Sequence, residues 1–323
     1  HRMWPEQTVS VPNKVALSNI DVMQVRTLAG VASILSRRFE GDRVQLCLEE
    51  EDGKPVLVCL TLGRHKPVSR LGWWDESMPR GMTRAPERSV YVWDTGTGLK
   101  IEMVYVLPGD FTMGTNDGGS DEKPRHRHPM PCGYYVGRYE TTWRQYKTFC
   151  STTSRPTPEP PSWGAEDDHP VVNVSWNDAS AFCDWAGLTL PTEAQWEKAA
   201  RGTDGRKYPW GGSDPSPELC RFLGSSGLHT EPVGSHPREA SPCGAHDMAG
   251  NVWEWCADWY DENAYQRYVK DQTKSPTSGR SRVVRGGGWC DCTVYCCCAG
   301  RVCFHPDSRG RGLGFRSVKN VEE

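Results

Sequence analysis

The sequence lacks several features that would place it in common functional classes. Its 323 residues contain no apolar run close to the roughly 18 residues that a membrane-spanning helix needs. Its net charge of -3 excludes the strongly basic surface of a general nucleic-acid-binding protein. No Gly-rich phosphate loop, Ser–His–Asp constellation or dinucleotide fingerprint is present. With 37% hydrophobic and 24% charged residues, the composition is that of a soluble globular chain.

Cysteine, by contrast, is abundant and unevenly placed. Eight of the 14 cysteines are scattered singly, whereas six crowd into the stretch that starts at Cys290 and ends at Cys303. Scattered cysteines are often buried apolar side chains, and their spacing does not determine a disulfide pairing. The crowded six lack the paired C-x2-C spacing of zinc ribbons, and disulfides between close neighbours are strained. The metal and redox state of this cluster stays open.

Residues 1–95 differ in pattern from the rest of the chain. Apolar residues at helical spacing predict a helix over residues 21–38, with Asp21 as its cap. Two apolar runs at 44–48 and 55–62 flank Asp52-Gly53 and predict a hairpin. No catalytic set assembles here, so we interpret this part as a small accessory region for support or partner docking.

Residues 96–323 combine short strands, helices and long loops. The pattern predicts strands at Lys100–Val106, Arg282–Arg285 and 313–318 and helices that follow Thr141/Thr142, Asn177/Asp178 and Thr192. The last of these helices, Glu193–Arg201, opens with a capping box formed by Thr192 and Gln195. The 33 glycines and 24 prolines indicate that tight turns join these elements.

Eight segments in this part resemble one known family, and they follow its order along the chain. They are MVYV (103–106), FTMG (111–114), PVVNVSW (170–176), LPTEAQWEKAAR (190–201), YPWG (208–211), GNVWEW (250–255), RGGGW (285–289) and LGFR (313–316). They resemble the formylglycine-generating-enzyme, or sulfatase-modifying-factor, family. The resemblance implies a loop-rich α+β domain of the C-type-lectin-like fold over residues 96–323. A fold does not determine an activity, since one fold hosts many functions.

The family includes copper-dependent oxidases that convert a substrate cysteine to formylglycine through a cysteine pair. Thiolates are soft ligands suited to Cu(I). The resemblance places the second catalytic cysteine at Cys298 and the first at Thr293, which has no thiol. Cys292 could replace it only with a change of register. A copper oxidase built on Cys298 and Cys292 is therefore the alternative hypothesis.

The family also includes non-catalytic variable proteins that retroelements diversify, such as the Treponema variable lipoprotein. From Cys290 to Leu313 the sequence has no Lys, Glu, Gln, Met or Trp, residue types that fill about a fifth of the remaining chain. These are the five residue types that no codon ending in C or T encodes. Mutagenesis restricted to the first two bases of such codons would produce this composition. We therefore expect residues 290–312, the variable segment, to be diversified.

This interpretation predicts a receptor-like or adhesin-like protein that binds a protein or cell-surface ligand. Residues 285–289 and 313–316 would form a fixed frame around the variable segment. The resemblance implies display on the bacterial cell surface or outside the cell, with a signal and lipid anchor on a segment preceding His1. The predicted binding residues are Cys290, Asp291, Cys292, Val294, Tyr295, Cys297, Gly300, Val302, Cys303, Phe304, His305, Ser308, Arg309, Gly310, Arg311 and Gly312.

A calcium site is the second prediction. Asp247 and Glu254 place two carboxylates seven residues apart around a glycine turn, and calcium prefers six to eight hard oxygen ligands. In the resembling enzymes, the positions that match Asp247, Gly250, Val252 and Glu254 bind a structural calcium ion. The alternative is that Glu254 forms a local salt bridge while Trp253 and Trp255 fill the core.

Overall fold

The chain divides into two compact units, His1–Ser77 and Met78–Glu323. The structure is a computed structural model that describes residues 78–85, 89–225, 227–270 and 272–321. In the first unit it describes the backbone of three strands, β1 (Val22–Gln24), β2 (Arg43–Glu49) and β3 (Pro55–Thr61). No helix in the described part of the chain is long and apolar enough to cross a membrane.

The three strands of the first unit form one sheet in the order β1-β2-β3. Strands β2 and β3 pair antiparallel with Cys47 opposite Leu57, which confirms the predicted hairpin. The predicted helix is wrong at its start, because Val22–Gln24 pair in parallel with β2 as a strand. Helical spacing of apolar residues is a local signal, and pairing with a strand that lies further along the chain overrides it here. The rest of that prediction falls outside the described residues.

The second unit carries eleven strands and four helices among its described residues. The strands are β4 (Met82–Arg84), β5 (Val90–Asp94), β6 (Lys100–Val106), β7 (Phe111–Met113), β8 (His126–His128), β9 (Tyr134–Gly137), β10 (Trp253–Trp259), β11 (Arg282–Arg285), β12 (Arg301–Phe304), β13 (Leu313–Gly314) and β14 (Val318–Asn320). The helices are α1 (Trp143–Thr153), α2 (Trp176–Trp185), α3 (Glu193–Arg201) and α4 (Ala264–Tyr268). Because β4 and β5 belong to it, this unit begins earlier than the change of pattern at residue 96.

Capping boxes begin the three longer helices. Thr142, Ser175 and Thr192 each accept a hydrogen bond from the backbone amide three residues later, and that residue's side chain bonds back. The predicted starts of α1 and α3 are thereby confirmed. Helix α2 begins slightly earlier than predicted, because the capping residue is Ser175 with Asp178 as its partner rather than Asn177 or Asp178 itself.

Two antiparallel-rich sheets organise the second unit. The larger has the order β14-β9-β6-β5-β4 and the smaller has the order β12-β11-β10-β13, while β7 and β8 form a separate pair. Strands β10 and β13 run parallel, and β12 pairs antiparallel with β11. The variable segment lies between β11 and β13 of the smaller sheet. It contains β12, which forms one edge of that sheet, and it is followed by β13, which forms the other edge. Both ends of the segment are therefore fixed in one sheet.

The apolar core lies between these sheets and the helices. One cluster joins Phe149 and Phe182 of the first two helices to Trp255 and Phe315. A second cluster packs Trp196 of α3 against β6, β9 and β11, and it includes Cys298 of the variable segment. The variable segment thus sends a side chain into the core, where close packing limits the residues that fit.

Candidate functional site

The frame around the variable segment is buried and hydrogen-bonded. Residues 285–289 and 313–316 are all buried. The Trp289 indole donates to the carbonyl of Arg311 at 3.0 Å, and the amide of Trp253 donates to the carbonyl of Gly312 at 2.8 Å. The first bond holds the start and the end of the segment against each other, and the second fastens its end to β10. The chain between them is the part that is free to present side chains.

The structure places most of the predicted binding residues at the surface. The exposed residues are Cys290, Cys292, Val294, Tyr295, Phe304, His305, Arg309 and Arg311, and the half-buried ones are Asp291, Cys297, Val302, Cys303, Ser308, Gly310 and Gly312. The prediction that Gly300 lies at the surface is wrong, because this residue is buried. A Cβ added there would lie 3.2 Å from both the Cys297 sulfur and the Tyr295 carbonyl oxygen. Gly300 therefore supports the surface from beneath.

Large apolar side chains are exposed at this surface. Val294 is 68% exposed, Tyr295 39% and Phe304 38%. Beside them, Leu223 is 48% exposed, and its amide donates to the carbonyl of Asp291 at 2.9 Å. Aromatic side chains are enriched in the surfaces through which proteins contact their partners. Tyrosine and phenylalanine also bury much area with little loss of rotamer freedom on binding.

Two buried glutamates of α3 hold the variable segment from below. Glu193 accepts two hydrogen bonds of 2.7 Å from the Arg301 guanidinium, inside the segment. Glu197 pairs with the fully buried Arg285, whose Nη1 also donates to the carbonyl of Ala299 at 2.6 Å. Glu197 also pairs with Arg201 of the same helix, at 3.4 Å. Arg285 and Arg301 lie about a hundred residues later in the chain, so no local pattern in the sequence reveals these two partners.

The cysteine positions do not fit a copper centre. Thr293 stands where the family's first catalytic thiol would be, and the structure places it on the 3-10 turn Thr293–Cys296. Cys298 is completely buried, and this burial raises the pKa of its thiol to about 12. Cu(I) binds the thiolate form, so a copper ion at Cys298 would have to displace the proton of a completely buried thiol. Cys292, the candidate replacement, lies exposed ahead of the turn.

The predicted calcium residues lie in a buried acidic region. Glu254 is already engaged, because its carboxylate accepts hydrogen bonds of 2.6 Å from Arg316 and 2.8 Å from the Trp196 indole. Asp247 accepts from the Gly234 amide at 2.7 Å, and burial followed by repulsion from Glu239 raises its pKa to about 7.

The neighbours of Asp247 include further buried carboxyl groups. Glu239 is buried, its Oε2 has no hydrogen-bond partner among the described residues, and burial raises its pKa to about 8. Burial, with repulsion from Asp247 and Glu254, raises the pKa of Glu140 as well. An excess of buried carboxylates with an unpartnered oxygen fits a hard divalent cation near Asp247. The paired Glu254 fits that role less well.

A second group of metal-ligand side chains lies elsewhere. Glu166, Asp168 and His169 bring their ligand atoms within 4.8 Å of one another. His169 is buried and contacts the hydroxyl of Thr230 at 2.9 Å, whereas the two carboxylates are exposed. Exposed carboxylates commonly cluster without an ion, and we assign no metal to this group.

The fold and the surface segment define a C-type-lectin-like domain that carries an exposed loop on a buried frame. Residues 95–321 match the family profile of the sulfatase-modifying factor enzyme 1-like domain, and the chain belongs to this family. The resemblance seen in the sequence is thereby confirmed.

Relatives with curated names differ in their stated activities. The formylglycine-generating enzyme of Streptomyces coelicolor is 38% identical over 174 residues, which are 48% of this chain and 54% of that enzyme. The mouse enzyme is 31% identical over 282 residues, 67% and 74% of the two chains. Chlamydia trachomatis Pkn1, a serine/threonine-protein kinase, is 33% identical over 249 residues, 69% of this chain and 39% of that protein. The chain thus spans about two fifths of Pkn1 and about half of the Streptomyces enzyme.

Solved structures show the same fold. PvdO of Pseudomonas aeruginosa superimposes with a TM-score of 0.63 at 25% identity, covering 73% of this chain and all of PvdO. Variable protein 1 of Treponema denticola superimposes with a TM-score of 0.57 at 24% identity, covering 72% of this chain and 99% of that protein. Both confirm the C-type-lectin-like α+β architecture. At this level of identity the fold is shared, while activity is a separate question.

Proposed function

We propose that this protein is a non-catalytic, receptor-like or adhesin-like binding protein whose retroelement-diversified variable segment contacts a protein or cell-surface ligand. One observation carries the proposal: the compositionally restricted segment presents exposed Val294, Tyr295 and Phe304 while a buried frame holds both of its ends. Rigid support beneath variable contacts lets residues change without unfolding the domain. Display on the bacterial surface or outside the cell, through a lipid anchor, is part of the proposal.

The experiment is deep sequencing of codons 285–320 across a population of the source organism. We expect substitutions confined to residues 290–312, at the first two bases of codons that end in C or T. Exposed positions such as Tyr295 and Phe304 should vary, whereas Arg301, which is buried against Glu193, should stay constant. Frame residues Trp289 and Leu313 provide the matched invariant controls.

Two results would contradict the proposal. One is sequencing that finds the variable segment invariant, or that finds substitutions as often in the frame as in the variable segment. The other is catalysis: Cu(I)-loaded protein that converts a cysteine-containing peptide to formylglycine, with turnover lost in Cys298→Ser, would establish the oxidase instead. We expect no conversion, because Cys298 is buried and position 293 has no thiol.

We also propose that calcium stabilises the loop of Asp247, Gly250, Val252 and Glu254, with Asp247 as the principal carboxylate. Calcium should raise the melting temperature of the chelator-treated protein, because an ion that binds only the folded state stabilises it by mass action. Differential scanning calorimetry with and without calcium measures the shift. The shift should be abolished in Asp247→Ala and retained in the exposed control Glu262→Ala. An unchanged melting temperature in the wild type, or an equal shift in both variants, would exclude calcium at this loop.

A further inference from the structure

Two cysteines that are far apart in the sequence meet beneath the variable segment. Cys220 lies in a loop that precedes the buried acidic region, and Cys296 is the last residue of the 3-10 turn Thr293–Cys296. Each is 1% exposed, and the two pack with Ala249 in one small apolar cluster. Their thiols contact each other, and this contact, followed by burial, raises the pKa of Cys220.

The backbone holds both cysteines in place. The Leu223 amide donates to the carbonyl of Asp291 at 2.9 Å, which joins the Cys220 loop to the first part of the variable segment. The amide of Asn251 donates to the carbonyl of Arg221 at 2.9 Å, which joins the same loop to the frame. Trp210 and Phe222 pack around the pair. The two sulfur atoms are therefore brought together by the fold and not by a mobile side chain.

Other cysteine thiols in the described part of the chain have different surroundings. Cys150 contacts the carbonyl of Pro156 at 3.5 Å, Cys243 contacts Ser241 and the carbonyl of Ala199, and Cys297 contacts the carbonyl of Val294 at 3.4 Å. These thiols donate to oxygen atoms. Cys220 and Cys296 instead face sulfur in an apolar site, where a disulfide would leave no polar group without a partner.

We propose that Cys220 and Cys296 form a disulfide that fastens the underside of the variable segment to the scaffold. The bond would fix the turn that presents Val294 and Tyr295, and it does not depend on which ligand the segment binds. Because the pair joins regions distant in sequence, the cross-link restricts the unfolded chain strongly and stabilises the folded one.

The reaction needs an oxidant, and a low-molecular-weight disulfide such as oxidised glutathione supplies it. One cysteine thiolate attacks a glutathione sulfur and releases one reduced glutathione, leaving a mixed disulfide. The second cysteine attacks the protein sulfur of that mixed disulfide and releases the second glutathione. Two thiol protons and two electrons leave the pair, and one S–S bond forms. Because both thiols are buried in the folded protein, we expect the exchange to occur during folding.

The test compares the full chain refolded in reduced glutathione with the chain refolded in a mixture of oxidised and reduced glutathione. After alkylation of free thiols, digestion without reductant should yield one cross-linked peptide that contains Cys220 and Cys296 and lacks two hydrogen masses. Oxidation should raise the melting temperature by about 5–10 °C. Reduction with dithiothreitol should reverse the shift.

Matched variants separate this pair from the other cysteines. The thermal shift should disappear in Cys220→Ala and in Cys296→Ala, and it should persist in Cys292→Ala, which removes an exposed thiol of the same segment. Alanine is used because it is apolar and suits the site. If the variants fold poorly, the peptide analysis of the wild type still decides the outcome. The proposal is overturned if Cys220 and Cys296 are still free after oxidative refolding, or if the cross-link joins other cysteines. It is also overturned if the two thiols resist alkylation without the loss of two hydrogens, as a bound metal would cause.

Discussion

Arg285→Ala is expected to lower the melting temperature by about 10 °C. Arg285 is completely buried and pairs closely with Glu197, which is also completely buried on α3 and has a longer contact of 3.4 Å with Arg201. Removal of one member of a buried ion pair typically costs about 3–5 kcal/mol, because the other charge is left in a poorly polarisable site. For a unit of this size each kcal/mol corresponds to roughly 2–4 °C. Calorimetry of the purified protein measures the change.

The same variant should also loosen the variable segment. The Arg285 guanidinium holds the carbonyl of Ala299, which follows the buried Cys298. Loss of that bond should make Cys298 react faster with a thiol reagent under native conditions, as local opening would predict. Arg280→Ala, at an exposed arginine nearby in sequence, is the control and should change neither quantity. Adding Glu197→Gln to Arg285→Ala should recover part of the lost stability, because it removes the unpaired charge. An Arg285→Ala variant as stable as the wild type would refute this account.

Elements whose signals are local were predictable from the sequence. The capping box of Thr192 and Gln195 and the hairpin around Asp52-Gly53 depend on residues within a few positions of each other, and both predictions are confirmed. The family motifs were similarly informative, because their order along the chain reflects the order of the elements in the fold. The variable segment was delimited by its composition, which needs no knowledge of the fold.

The support beneath the variable segment could not be predicted in this way. Glu193 and Glu197 look like ordinary surface residues of a helix until Arg285 and Arg301 are placed against them by the smaller sheet. The contact of Cys220 with Cys296 has the same character, since the spacing of cysteines does not determine their pairing. Gly300 was assigned to the surface for a related reason, because the composition of the segment does not show which of its residues turn inward.

Long-range pairing also explains the error in the first unit. Residues 22–24 have an apolar spacing compatible with a helix, yet they pair in parallel with β2. A parallel partner lies beyond any local window of sequence, so periodicity alone had no means to detect it. The same limitation applies to the start of the second unit, where β4 and β5 add to the larger sheet ahead of the recognisable motifs.

Gly250→Ala is expected to destabilise the second unit by about 2–6 kcal/mol, through backbone strain and overpacking together. Gly250 has a φ of +83°, and a Cβ placed on it would lie 2.2 Å from the carbonyl oxygen of Arg221. That oxygen belongs to backbone and cannot rotate away as a side chain would. The Gly250 amide also donates to the carbonyl of Gly286 at 2.8 Å, inside the frame. Urea unfolding followed by tryptophan fluorescence measures the free-energy change.

Gly244→Ala is the matched control for this prediction. Gly244 has a similar φ of +90°, but the nearest atom to an added Cβ is Val104 Cγ1 at 3.7 Å, an ordinary contact. Gly244→Ala should therefore lower the free energy of unfolding only by the left-handed backbone strain, about 1 kcal/mol. The difference between the two variants isolates the contact between the Cys220 loop and the frame. Equal losses of stability in the two variants would mean that backbone strain alone determines the cost at both sites and that the Cys220 loop moves aside easily. That result would also weaken the case that the fold holds Cys220 firmly against Cys296.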